Sequence, residues 1–403
     1  MQSLWHVLAI LPEKSPSTVI NVITPLTAMQ DAGLITTTIR LQNEVTPLEV
    51  AQADAIVLCR NWHPVYRPIF ELALRLHIPI IYDLDDNVLA APRGTYTYEM
   101  FQSPGRRDMF EWLLRSAALV RVHSPLLRQS ISEYNPNTQQ VWSAVNWSLV
   151  PPELPALSMN PLHIVYTAQH EIGKPMYVYM QQDLHALLEK YESRVRLHFL
   201  GYNPPDLCGH PLVTCQPFEG DYTKFFTQFT RSGYAIGLAP MIDGLLYSSK
   251  TNMRFRDYAA AGAAGIYADT PLYRGNGVID GETGLLVSGE PGTWLPALTR
   301  LIENPALIEA IRQQAYQSVK ARYNFEIVTQ MWLENLQSLP PRLTLSKAEM
   351  ASLARLRWSF THIRKPDATW VALLRNILRD IVPLPWKLRY YDTYYAVRKR
   401  FRL

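Results

Sequence analysis

YAIGLAPMIDGLLYSSKTNMRFRDYAAAGAAGIYADTPLYRGNGVIDGETGLLV, residues 234–287, is the stretch that decides the fold. YAIGLAP reads as a buried strand, and NMRFRDYAAAG as a helix closed by Gly262. AAGIYAD is a second buried strand, and DGETGLLV a glycine turn running into a third. Strand, loop, helix, strand is the signature of a parallel sheet. The loop Ser248–Ser249–Lys250 and then Thr251 feed the helix, where free N–H groups and the helix dipole favour an anion. Asp257 follows about two helical turns later. Taken alone, the same loop also reads as an ordinary helix start with a solvated lysine.

Upstream, the alternation continues. LWHVLAIL, ADAIVLC, IPIIYDL, ALVRVHS and QQVWSAV read as strands, with YRPIFELALRLH and PLLRQSISEY as helices between them. A proline-rich stretch, LVPPELPALSMNP, marks a linker. The pattern then restarts with the strand LHIVYTA, the turn QHEIGKP, a helix and the strand VRLHFLG, and from Pro291 it is helical. The expectation is an α/β chain of two Rossmann-like, doubly wound domains facing a cleft, plus a C-terminal helical extension. Its boundaries are 1–155, 156–338 and 339–403. Ligands of such sheets bind beyond the carboxyl ends of the strands.

Composition fits a chain with large cores: of 403 residues, 48% are hydrophobic and 18% charged. The N-terminus has no basic stretch or small-residue cleavage site, and no uncharged run reaches the roughly 18–20 residues of a membrane span. Cys59, Cys208 and Cys215 are too few and too scattered for a disulfide framework, so they read as core thiols in a reducing, cytoplasmic compartment. Net charge is +4, but residues 341–403 carry 14 Lys/Arg against 4 Asp/Glu, leaving −6 for the rest. That basic tail, interleaved with Trp and Tyr, suits an anionic membrane surface, while helices packed on the domains with charges outward are the plainer reading. No nucleic-acid module is recognisable, and no nucleic-acid partner is expected.

The 234–287 segment as a whole resembles the donor-binding half of retaining glycosyltransferase family 4, the GT-B group that includes polysaccharide and O-antigen enzymes. The resemblance rests on Ser249–Lys250, Asp257–Tyr258, Ala259–Ala261, Gly262 and Asp280 through Val287. It extends loosely to IIYDLDDNV near residue 80. It implies a glycosyltransferase of hexosyltransferase type that moves a sugar from a nucleoside diphosphate donor to an acceptor hydroxyl. The setting would be cell-surface polysaccharide or glycolipid synthesis at the inner membrane face, with a sugar or lipid-linked acceptor. The nucleotide sugar is a co-substrate, and no cofactor or metal is implied. The family's paired glutamates become Ser249 and Asp257 here, and Ala263 and Ala264 follow Gly262 where proline is usual. Asp257 would hold the ribose diol; Ser249 has no carboxylate to offer the sugar. A non-catalytic nucleotide-sugar-binding or scaffold protein and a GT-B nucleotide-sugar epimerase are the alternatives.

In the family, the turn after the first strand of the second domain meets the donor diphosphate. Here that turn carries Gly173, which permits close backbone approach, and Lys174, which supplies positive charge. YDLDDNV places Asp83, Asp85 and Asp86 at the carboxyl end of a strand, where like charges repel unless compensated. Asp85 or Asp86 reads as the group that orients or deprotonates the acceptor hydroxyl. A turn or helix cap and a Mg²⁺ site are the other readings. His123 reads as a packed or capping histidine.

Overall fold

The computed structural model describes residues 4–103, 105–168, 170–356 and 358. These divide into two compact units. One comprises the residues up to Val141 and those from Met331 onward; the other is Trp142–Gln330.

The first unit is built on a six-stranded sheet of order β2-β1-β3-β4-β5-β6. Its strands are β1 (His6–Leu11), β2 (Thr36–Leu41), β3 (Ala55–Cys59), β4 (Ile80–Leu84), β5 (Leu119–Val122) and β6 (Thr138–Gln140), all parallel. The central strands β3, β4 and β5 are buried at every position, as expected where helices cover both faces. The chain starts at β1, adds β2 on one side and β3 on the other, so the order reverses between β1 and β3. Register sets Asp83 on β4 opposite Cys59 on β3 and Arg121 on β5. The expected strand QQVWSAV shortens to Thr138–Gln140. From Trp142 the chain belongs to the second unit, where Val145 N–H and Trp147 Nε1 both donate to the Tyr323 carbonyl, at 2.8 and 3.3 Å.

The second unit repeats the plan with strand order β12-β11-β10-β7-β8-β9. Its strands are β7 (Leu162–Thr167), β8 (Val195–Leu200), β9 (Val213–Gln216), β10 (Ile236–Ala239), β11 (Ala264–Ala268) and β12 (Leu285–Val287). The reversal falls between β7 and β10. The helix Met253–Ala260 carries the chain from β10 to β11 and ends at Gly262, whose φ of +70° favours glycine. Arg312 of the helix Pro305–Arg322 locks that turn, its Nε donating to the Gly262 carbonyl at 2.9 Å. The DGETGLLV turn closes on itself: Asp280 Oδ1 accepts from Leu286 N–H at 2.8 Å, and Gly281 N–H donates to the Gly284 carbonyl at 2.8 Å.

Two expectations change. Cys208 and Cys215 are joined in a disulfide, Cα atoms 6.1 Å apart, while Cys59 alone is a buried thiol. The loop after β8 turns back through Gly209, at φ +108°, and so sets Cys208 beside the edge strand β9. The division between units also falls earlier than residues 155 and 338. The helix Phe325–Gln337 begins in the second unit, and its last turns pack within the first, where Asn335 Nδ2 donates to Gln139 Oε1 at 2.6 Å. The start of the tail packs there too, Arg342 lying 2.8 Å from Asp54. Residues 359–403, which hold most of the basic and aromatic tail, lie outside the described residues, so the membrane reading of that segment does too. Among the described residues no helix is long and apolar enough to cross a membrane.

Candidate active site

In the second unit the candidate residues gather at the carboxyl ends of β7 and β10, where the strand order reverses. Asp257 lies on the helix Met253–Ala260 and is only 3% exposed. Its Oδ2 is 3.1 Å from Arg254 Nη1, and Tyr222 donates to its Oδ1 at 3.4 Å. Arg254 also donates from Nε to the carbonyl of Thr167, the last residue of β7, at 3.2 Å. One guanidinium therefore ties the end of β7 to the acidic side chain on the helix. Burial raises the pKa of Asp257 above the usual carboxylate range, although Arg254, Arg256 and Tyr222 all act to lower it. Burial alone would depress Arg254, but Asp257 and the surrounding Tyr258, Tyr273 and Tyr166 hold it above its ordinary value.

Lys250 and Thr251 are half-buried in the loop before this helix. The N-cap residue Asn252 makes no side-chain hydrogen bond to its own helix. It donates instead to the Asn276 carbonyl at 2.6 Å and Tyr323 Oη at 2.8 Å. The Asn252 side chain is therefore turned away from the first turn, whose N–H groups carry partial positive charge. Ser249 is fully buried, at 0% exposure, and its N–H donates to the Leu245 carbonyl at 3.0 Å. Its side chain presents no surface to a sugar.

Gly173 and Lys174 lie on the helix His170–Tyr177, with Gly173 buried and Lys174 exposed. The absence of a side chain at Gly173 serves packing: a Cβ there would stand 2.6 Å from Cβ and Cγ of Tyr202. Tyr166 Oη donates to the Gly173 carbonyl at 3.3 Å. Below it, Asp206 Oδ2 accepts from Tyr177 Oη at 2.6 Å, Gln181 Nε2 at 3.0 Å and His185 Nε2 at 2.7 Å. The helix that carries Lys174 is therefore pinned to the loop after β8.

In the first unit, the three carboxylates of YDLDDNV separate. Asp83 is fully buried, 2.9 Å from His123 Nε2 and 3.3 Å from Arg121 Nε. The Arg121 guanidinium lies over the Trp332 ring, 3.3 Å from its centroid. Asp85 and Asp86 sit beyond β4 and share Arg60, which follows β3 at a positive φ of 59°. Arg60 Nε donates to Asp85 Oδ1 and its Nη2 to Asp86 Oδ2, both at 2.7 Å. Arg60 is the compensating cation that the sequence reading left unnamed. No local pattern announces it, because the register of β3 on β4 makes the pairing. Arg254 had a readable signal, since it stands three residues before Asp257 on a helix, where side chains meet.

The architecture is shared with solved structures. HepE of Anabaena, in complex with UDP and glucose, superposes with a TM-score of 0.58 at 13% identity, over 83% of this chain and all of that one. The chain has the GT-B fold. Sucrose-phosphate synthase of Thermosynechococcus elongatus gives a TM-score of 0.57 at 14% identity, over 82% of this chain and 98% of that one. A glycosyltransferase from Rickettsia africae gives 0.54 at 12% identity, over 83% and 98%. No family model matches the sequence, and no curated protein does. In this GT-B chain, Asp257, Arg254, Lys250 and Thr251 belong to the second sheet's carboxyl edge, and Asp85, Asp86 and Arg60 to the first sheet's.

Proposed function

We propose that the protein is a glycosyltransferase that moves a sugar from a nucleoside diphosphate donor to an acceptor hydroxyl. The carrying observation is the acidic and basic group at the reversal point of the second sheet, where Asp257 lies on the helix that the Lys250 loop feeds and that Asn252 does not cap. A departing diphosphate needs fixed positive charge; half-buried Lys250 and the helix start offer it, and exposed Lys174 adds to it. In this reading Asp257 accepts the ribose hydroxyls. On the acceptor side, Asp85 or Asp86 orients or deprotonates the hydroxyl, and Arg60 holds both carboxylates in register. HepE, crystallised with UDP and with UDP-glucose, shares the architecture, which supports a nucleotide-sugar donor. Retention at the anomeric carbon, hexosyl transfer and membership of family 4 rest on the motif resemblance from Ser249 to Val287. A sugar or lipid-linked acceptor at the inner membrane face, reached through residues 341–403, belongs to the same reading.

A thermal-shift screen of nucleotide sugars tests the proposal. A donor at 100 times its Kd adds about 2.7 kcal/mol of stability. A complete panel without a shift overturns the reading. Buried Ser249, which has no carboxylate for the sugar, favours a second reading in which the chain binds nucleotide sugar without transferring it. Donor binding with no nucleoside diphosphate released in the presence of acceptors would select that reading. Donor conversion without any acceptor would select an epimerase.

A further inference from the structure

Resting on that donor site, Arg254 invites a more specific reading than any lysine nearby. Its Nε is fixed by the Thr167 carbonyl at 3.2 Å, and its Nη1 lies 3.1 Å from Asp257 Oδ2. A guanidinium has five N–H donors in a planar fork, so these contacts leave donors over. The side chain is 32% exposed, while Tyr166, Tyr258 and Tyr273 beside it are buried. The cation is therefore partly open to solvent in a site otherwise lined by buried groups, where a charge interaction is stronger than in water. It also stands at the reversal point between β7 and β10, where ligands of such sheets bind.

We propose that Arg254 receives the diphosphate of the donor, and that it exchanges Asp257 for the phosphate as the donor arrives. The planar fork suits two phosphate oxygens better than an ammonium does. Once Arg254 turns to phosphate, Asp257 Oδ2 loses its internal partner and becomes free to take the ribose. Phosphate and ribose recognition are thereby coupled: a bare nucleoside meets an Asp257 already occupied, and a nucleoside diphosphate displaces the occupant.

Calorimetry on the full chain separates the pieces, with UDP, ADP, GDP, CDP and dTDP, the matching nucleosides, and pyrophosphate as probes. Arg254→Met weakens the preferred nucleoside diphosphate and pyrophosphate by about 10- to 100-fold and leaves the nucleoside unchanged or slightly tighter. Arg254→Lys recovers part of the diphosphate affinity. Asp257→Asn weakens the nucleoside diphosphate, leaves the bare nucleoside nearly unchanged and tightens pyrophosphate, because the internal competitor for Arg254 is gone; its melting curve, read beside the binding, checks that the variant is folded. Equal losses for nucleoside and diphosphate in Arg254→Met, or unchanged pyrophosphate affinity in Asp257→Asn, overturn the proposal. If pyrophosphate binds through Arg254 but no nucleotide binds, the anion site stands and the glycosyltransferase reading falls. If neither pyrophosphate nor any nucleotide binds, both fall.

Discussion

Arg60 donates to Asp85 Oδ1 from Nε, 2.7 Å away, and the same guanidinium reaches Asp86 Oδ2 at 2.7 Å. Asp85 is the more enclosed of the two acids, with 8% of its side chain exposed against 22% for Asp86. Removing the arginine strands an enclosed charge, whereas removing one acid leaves the other in place. Arg60→Ala is therefore expected to cost about 3 kcal/mol of stability in urea unfolding. Asp85→Asn and Asp86→Asn should cost less stability but lower turnover about 10²–10⁴-fold, with donor affinity nearly unchanged. Near-normal turnover in both acid variants would reassign the motif to capping.

Lys174 and Lys250 offer point charges from different elements, one exposed on the helix His170–Tyr177 and one in the loop before Asn252. Each alanine variant should weaken nucleoside diphosphate by about 1.5–3 kcal/mol and spare the nucleoside, since each contact is to phosphate alone. Calorimetry with both ligands decides; equal losses would remove that lysine from the site.

Gly173 gives a purely steric prediction. Gly173→Ala drives a methyl group to within 2.6 Å of Tyr202, so it should destabilise by about 1–3 kcal/mol. Tyr202→Ala should absorb most of that penalty. A double-mutant cycle in denaturant measures the coupling, and additive effects would show that the two residues do not oppose each other.

His198 provides a pH test. Its Nε2 lies 2.8 Å from His163 Nδ1, and its ring is 5.2 Å from that of Tyr234. Burial, then His163, then Arg196 push its pKa down to about 4. Between pH 6.5, where an unfolded histidine protonates, and pH 4, the unfolded chain binds a proton that the folded chain refuses. Stability should be fully present above pH 6.5 and lost as pH falls toward 4. His198→Gln should flatten that slope in melts from pH 7.5 to 4.5; an unchanged slope would assign the acid sensitivity to other groups.

Among the described residues, β1, β3, β4, β5, β7, β8, β10, β11 and β12 are legible as apolar runs, β6 only borders its expected run, and β2 and β9, which no expected strand covers, explain themselves. TTTIRL and VTCQ are sheet edges, with exposed or half-buried residues at every position. An edge strand in contact with water needs no hydrophobic signature. Asp257 and Lys250 are legible because a local motif holds them together. Arg60 with Asp85, and Cys208 with Cys215, depend on register and loop geometry, which leave no periodic trace. Adjacency in the sequence is all that groups Asp83 with Asp85 and Asp86. β4 ends at Leu84, so Asp83 lies inside the sheet while Asp85 and Asp86 follow it, and burial against Arg121 and His123 gives Asp83 a different task.

The stacking of Trp332 over Arg121 bears on how the polypeptide is made. Arg121 emerges early, yet the ring that shields it lies beyond the whole second unit. At about 5–20 residues per second, the stretch from Val141 to Met331 occupies the ribosome for on the order of ten to forty seconds. Over that interval, the first sheet holds a buried cation and its Asp83 partner without their aromatic lid. Nascent chains stalled before Trp332 should therefore be protease-sensitive in the first unit, and those stalled after residue 340 has emerged should resist.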